Sequence, residues 1–234
     1  MSERSDADAA TDEPVAILGG TFDPVHYGHL HVADDVRKAL GIRDVRLVPA
    51  ADPPHRGAPS ARARDRIAML DLAVRDFPDL VVDIREIERG GKSYTVETLQ
   101  SLRAERPRAP LWLLLGADQF RSLPGWHRWR ELFDLAHLVV VPRPGVALDA
   151  DLPDAVREEL AARRVRDPAA LRSTIAGSIY VQPVAPHPVS STAIRSALVA
   201  GERNPVEFSG LLPAAVLAYI ESNGLYPPQP THAS

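Results

Sequence analysis

Between residues 14 and 226 the chain alternates short apolar runs with longer stretches whose apolar residues recur every three or four positions. The runs are Val15–Leu18, Val45–Val48, Leu80–Ile84, Leu111–Leu115, Leu138–Val141 and Ile179–Val181. Several are rich in Val and Ile, and most lack an alternating polar face, which is the mark of strands buried on both sides in a parallel sheet. The periodic stretches predict helices at 30–40, 61–75, 95–106, 128–136, 155–164, 191–200 and 213–223. Strand–helix alternation of this kind predicts an α/β fold, a doubly wound parallel sheet with helices on both faces and right-handed crossovers. The final helix reads as a small C-terminal helical cover on that sheet.

Punctuation agrees with this segmentation. Pro49-Ala50-Ala51-Asp52-Pro53-Pro54 ends the second run in a stiff loop, Arg143-Pro144-Gly145 ends the fifth, and Gly41 and Gly224 suit helix C-termini. Residues 1–13 and 227–234 read as disordered tails, leaving a single domain over 14–226 whose 191–226 portion is helical. The charged segment 146–175 interrupts the alternation without an assignable role.

Composition narrows the chemistry. Of 234 residues, 45% are hydrophobic and 25% charged, as in an ordinary globular protein. With no cysteine, disulfides, thiolate zinc sites, iron–sulfur clusters and a cysteine nucleophile are all excluded. A net charge of -4 argues against a general grip on nucleic acid. The first thirteen residues lack the basic and apolar regions of a signal peptide, and no apolar run is long enough to span a bilayer. A cytoplasmic protein without membrane or nucleic-acid partners is expected. Lys38 and Lys92 are the only lysines, and the Gly-x-x-x-x-Gly-Lys phosphate loop is missing, which excludes the usual P-loop kinases and ATPases.

Two segments carry candidate chemistry. After the first strand comes Gly19-Gly20-Thr21-Phe22-Asp23-Pro24-Val25-His26-Tyr27-Gly28-His29. The glycines allow a tight turn and close approach of a ligand to the backbone. His26 and His29, three apart at a helix start, project from one face toward the carboxyl end of the sheet, where doubly wound folds bind ligands. A metal-ligand reading of the histidines lacks a cysteine or adjacent glutamate to complete it. Late in the chain, Ser190-Ser191-Thr192-Ala193-Ile194-Arg195 combines hydroxyls, a helix N-terminus and an arginine on one face. That combination fits a phosphate cradle, and equally an ordinary N-cap followed by a solvated arginine.

Together the two segments resemble the nucleotidyltransferase α/β phosphodiesterase superfamily. Pro53-Pro54-His55-Arg56, Ser93-Tyr94-Thr95, Gly116-Ala117-Asp118, Trp126 and Leu211-Leu212-Pro213 through Gly224-Leu225-Tyr226 extend the similarity to bacterial nicotinate-nucleotide adenylyltransferases over most of 15–226. Arg56 stands where that family often has lysine. The resemblance implies a Rossmann-like sheet, the substrates ATP and nicotinate mononucleotide, and Mg²⁺ held mainly by the ATP phosphates, not by a protein metal site. It implies that His26, His29 and Arg195 are catalytic, and that Gly19, Gly20, Thr21, Phe22, Asp118, Ser191 and Thr192 join them in binding ATP. Arg56, Tyr94, Thr95 and Trp126 are implied to bind nicotinate mononucleotide, with Trp126 stacking on the pyridine ring. His31, His55, His127, His187 and His232 are read as surface or structural residues.

Alternatives stay open: an adenylyltransferase using nicotinamide mononucleotide or another phosphate acceptor, or a non-catalytic nucleotide sensor. The oligomeric state is open as well, a homo-oligomer included.

Overall fold

A computed structural model describes residues 12–54, 57–142, 148–149 and 151–228. Seven parallel strands form one sheet: β1 (Val15–Gly20), β2 (Asp44–Pro49), β3 (Leu80–Val82), β4 (Leu111–Gly116), β5 (His137–Val141), β6 (Arg164–Val165) and β7 (Ile179–Val181). Their order is β3-β2-β1-β4-β5-β7-β6. The longer helices are α1 (Tyr27–Leu40), α2 (Ala63–Ala73), α3 (Thr95–Glu105), α4 (Asp154–Arg163), α5 (Ser191–Val199) and α6 (Ala214–Ser222). The six predicted strands are present, and each longer helix lies where periodicity placed it, within a few residues. The expected helix over 128–136 is instead a 3-10 turn, Trp129–Glu131, followed by the single turn Leu132–Leu135.

The strands bury both faces because their successive side chains point to opposite layers. On one side, Ala16, Leu18, Trp112, Leu114 and Val139 pack with Leu30, Ala33 and Val36 of α1 and with residues of α2, α5 and α6. On the other, Val15, Ile17, Leu113, Leu115, Leu138 and Val140 pack with Val96, Leu99 and Leu102 of α3 and with Val156 and Leu160 of α4. This is the Rossmann-like arrangement, helix layers on either side of a parallel sheet. Gly41 ends α1 at φ +62°, its N–H donating to Arg37 O, the left-handed cap that a residue without Cβ adopts at no steric cost.

The segment 146–175 gains a role among its described residues. It supplies α4 and the two-residue edge strand β6, which lengthens the sheet beyond β7. Arg172 donates to Leu40 O and Gly41 O at 3.1 and 2.9 Å, tying the segment back to the end of α1. A two-residue strand has too little pattern to show in sequence, and its period is masked by the charged helix before it. The predicted tails lie mostly outside the described residues, although Asp12 pairs with Arg108 at 2.9 Å. No helix among the described residues is long and apolar enough to cross a membrane.

The order of the strands locates the functional end. β1 lies between β2 and β4, so the chain winds outward in both directions from the β1–β4 seam. At such a switch point the loops leaving adjacent strands diverge and open a crevice at the carboxyl ends.

Candidate active site

The crevice holds two cavities that meet at Gly19, Gly20, Thr21 and Gln119. The larger, about 770 Å³, is lined by these residues and by Phe22, His26, His29, Ser60, Asp118, Ser191, Thr192 and Arg195, among others. The smaller, about 330 Å³, is lined by Pro53, Pro54, Glu86, Tyr94, Thr95, Thr98, Trp126 and His127 together with apolar residues of β1, β2 and β4.

In the large lobe, Gly20 runs so close to the loop that a Cβ would lie 3.0 Å from the Phe22 ring. Phe22 is 1% exposed and holds a left-handed backbone at φ 50°, a conformation that costs a non-glycine residue free energy and persists only where its surroundings fix it. Its ring meets His29 edge-on at 4.9 Å. His29 stacks in turn on His26, with ring centroids 3.7 Å apart. Gly28 makes this stack fit, since a Cβ there would stand 2.9 Å from His26 Nδ1 and 3.3 Å from Val189 O. His26 precedes α1 as its N-cap and is buried, with no hydrogen-bond partner at Nδ1. Burial pushes its pKa down to about 4, so its imidazole is neutral at physiological pH.

The second motif sits across the same cavity. Ser190 caps α5, accepting from Ala193 N at 3.2 Å. Ser191 Oγ donates to Pro24 O at 3.0 Å, and Arg195 Nη1 donates to Asp23 O at 2.6 Å. Arg195 Nη2 reaches Thr192 Oγ1 at 3.4 Å, as their spacing on one helix face requires. The two motifs, far apart in sequence, thus clasp one another as well as facing the cavity. Asp118 stands at the rim, exposed and paired with Arg121 at 3.2 Å.

A profile of the family described as Cytidylyltransferase-like matches residues 17–197. The chain is 47% identical over 218 residues to "Probable nicotinate-nucleotide adenylyltransferase" of Acidithiobacillus ferrooxidans, an alignment covering 93% of this chain and 98% of the relative. It is 50% identical over 213 residues to the protein of the same name from Pseudomonas syringae pv. tomato, covering 91% and 93%. The chain belongs to the nicotinate-nucleotide adenylyltransferase family. Its fold is similar to that of Plasmodium falciparum nicotinic acid mononucleotide adenylyltransferase complexed with NaAD. The TM-score is 0.69 over 92% of this chain and 97% of that chain, at 15% identity.

Tyr94 precedes α3, whose N-terminus opens on the small lobe, and its ring lies 4.4 Å from that of His127. Of the three tryptophans, Trp112 and Trp129 are buried in the core and Trp126 is the one that lines the cavity. Arg56 and His55 lie outside the described residues.

Several residues of the site had no sequence signal. His127 joins the small lobe and His187 the large one, where its Nε2 meets Asp35 Oδ2 at 2.9 Å. From sequence alone both are expected at the surface or in a structural role. Glu86, 7% exposed, accepts from Thr98 Oγ1 at 2.5 Å beneath the small lobe. Arg66, 1% exposed, donates from Nη1 to Thr21 O at 2.8 Å and so fixes the loop from below. Nothing local in the sequence distinguishes this arginine from the many others. Among the described residues no group of three or more His, Asp or Glu side chains is placed to hold a metal ion.

Proposed function

We propose that the protein transfers the adenylyl group of ATP to the 5′-phosphate of nicotinate mononucleotide. A phosphate oxygen of the acceptor bonds to the α-phosphorus, the bond from that phosphorus to the bridging oxygen breaks, and pyrophosphate leaves. The products are pyrophosphate and nicotinate adenine dinucleotide, a step of NAD biosynthesis taking place in the cytoplasm. One observation carries this reading: a larger, more polar lobe and a smaller, more apolar lobe meet along a seam of Gly19, Gly20, Thr21 and Gln119. Two substrates seated in the two lobes would bring their phosphates together at that seam, where no side chain from positions 19 and 20 stands between them.

The acceptor phosphate is already an anion, so the reaction needs no strong general base. Catalysis reduces to positioning and to stabilising charge as it develops. The loop backbone of Gly19, Gly20 and Thr21 receives the phosphates. His26 and His29 donate hydrogen bonds to them, His29 at the α-phosphate, and Phe22 fixes the angle of its ring. Ser191, Thr192 and Arg195 hold the β- and γ-phosphates that depart as pyrophosphate. Asp118 accepts from a ribose hydroxyl. ATP enters as its complex with a divalent cation, Mg²⁺, which neutralises part of the triphosphate charge.

In the small lobe, Trp126 stacks on the pyridine ring. The N–H groups of Tyr94 and Thr95 at the start of α3 meet the nicotinate carboxylate, where the helix dipole favours an anion. Arg56 pairs with the acceptor phosphate.

Pyrophosphate release with Mg-ATP, measured for nicotinate and nicotinamide mononucleotide side by side, tests the reading. A strong preference for the acid is expected. Equal use would remove the carboxylate site at Tyr94 and Thr95, and no release with either nucleotide would overturn the activity.

A further inference from the structure

The loop that floors the large lobe is held at its centre by a group the chemistry above does not use. The Asp23 carboxylate is 4% exposed and accepts three hydrogen bonds: Ser60 N at 2.7 Å, Ala61 N at 3.0 Å and Tyr226 Oη at 2.6 Å. Ser60 is itself part of the wall of the large lobe. A single buried carboxylate therefore ties the loop after β1 to the loop before α2, and Tyr226 donates to it across a sequence separation of 203 residues.

Tyr226 is not a passive member of the helical cover. It is 6% exposed and holds a left-handed backbone at φ 49°, which a tyrosine keeps only when its surroundings dictate it. Arg203 Nη2 donates to its carbonyl at 2.9 Å. Burial, and then the Asp23 charge, push the phenol pKa far above its ordinary range, so the hydroxyl keeps its proton and donates. The carbonyl of the same Asp23 is gripped by Arg195, which faces the cavity. Any shift of the Asp23 carboxylate moves the segment between Thr21 and His26 from within.

We infer that Tyr226 is a positioning residue for adenylyl transfer, acting through the Asp23 carboxylate to set where the loop presents His26 and His29 to the nucleotide. The inference rests on the proposed activity and extends it to the last stretch of the fold. Misplacement by a fraction of an ångström is costly for a reaction that depends on alignment.

Tyr226→Phe deletes one hydroxyl and leaves the ring. The expected result is a fall in kcat of about tenfold with weaker ATP binding, and an unchanged KM for nicotinate mononucleotide, whose lobe Tyr226 does not line. Tyr219→Phe is the control: Tyr219 Oη donates to Asp65 Oδ1 at 3.1 Å, a bond between the cover and α2 that does not touch the loop. It should lower the melting temperature and keep kcat. A Tyr226→Phe enzyme with wild-type kcat and ATP affinity would overturn the inference, and so would equal losses in the two variants. If Tyr226→Phe does not fold, Arg203→Gln, which frees the Tyr226 carbonyl, decides: a reduced kcat in folded protein supports the link and a wild-type kcat refutes it. ATP affinity is read by calorimetry on the same samples. Wild-type protein that binds ATP without releasing pyrophosphate would sink the proposed activity, while the change in ATP affinity between wild type and variant would still judge the positioning role.

Discussion

The two lobes of the crevice share Gly19, Gly20, Thr21 and Gln119 and otherwise differ in how they are built. The large lobe mixes polar and apolar lining and is supported from behind by hydrogen bonds. Arg66, Arg195 and Ser191 hold the carbonyls of Thr21, Asp23 and Pro24, and Asp23 is held by three donors. The small lobe is a mainly apolar slot walled by strand side chains and by the rings of Tyr94, Trp126 and His127, with Glu86 and Thr98 among its polar lining residues. Charge that develops during a reaction needs dipoles that do not have to reorganise, and these hydrogen bonds hold the loop of the first lobe in place. Recognition of a flat ring needs area and shape, which side-chain packing supplies.

The contrast is broken most directly at His29. His29→Ala should lower kcat on the order of 10²–10³-fold, as for one lost donor to a developing oxyanion, while the fold survives. Near-normal turnover in steady-state assays would remove His29 from the chemistry.

Acid should strike the large lobe next. His26 has a folded pKa of about 4 against 6.5 unfolded, so between these values the unfolded chain holds more protons than the folded one. Stability therefore rises with pH through that window and is lost as pH falls, by up to about 3 kcal/mol for a group this buried. His137, whose pKa is also lowered by burial, adds in the same direction. Urea unfolding at pH 4.5 and pH 7 should show a smaller difference for His26→Gln than for the wild type. Equal differences would place the acid sensitivity elsewhere.

Arg195→Ala removes a cation from the large lobe and a donor from Asp23 O. A loss of about thirtyfold in kcat/KM for ATP is expected, in the range of one hydrogen bond to a charged group. A change below about threefold would take Arg195 out of the phosphate site. The smallest effect belongs to the apolar lobe. Trp126→Ala should raise the KM for nicotinate mononucleotide about fivefold, the worth of one stacked ring, and leave the KM for ATP alone. If both constants moved together, the two lobes would not be separate sites.

The sequence made the large lobe easier to read than the small one, and the reason is local. His26, Gly28 and His29 act within one turn of α1, and Ser191, Thr192 and Arg195 within one turn of α5, so their spacing alone puts each set on one face. In the small lobe, Glu86, the start of α3 with Tyr94 and Thr98, and His127 come from three separate segments. His127 resembles any exposed histidine until its ring is found against Tyr94. The same limit hid Arg66 and Asp23. A buried arginine and a buried aspartate are recognised by their partners, and those partners lie 45 residues from Arg66 and up to 203 from Asp23.

What the sequence by itself determined was the succession of elements and the motif faces. Strand runs, helix periods, glycine caps and i, i+3 spacings are set by contacts within a few residues, and the chain states them directly. Tertiary structure decided that β1 sits beside β4, that the cleft divides into two lobes meeting at Gly19, Gly20, Thr21 and Gln119, and that Tyr226 reaches Asp23. Each of these depends on which surfaces bury one another when the sheet assembles. That choice is made by packing and buried hydrogen bonds summed over the whole domain, and no short stretch of sequence records it.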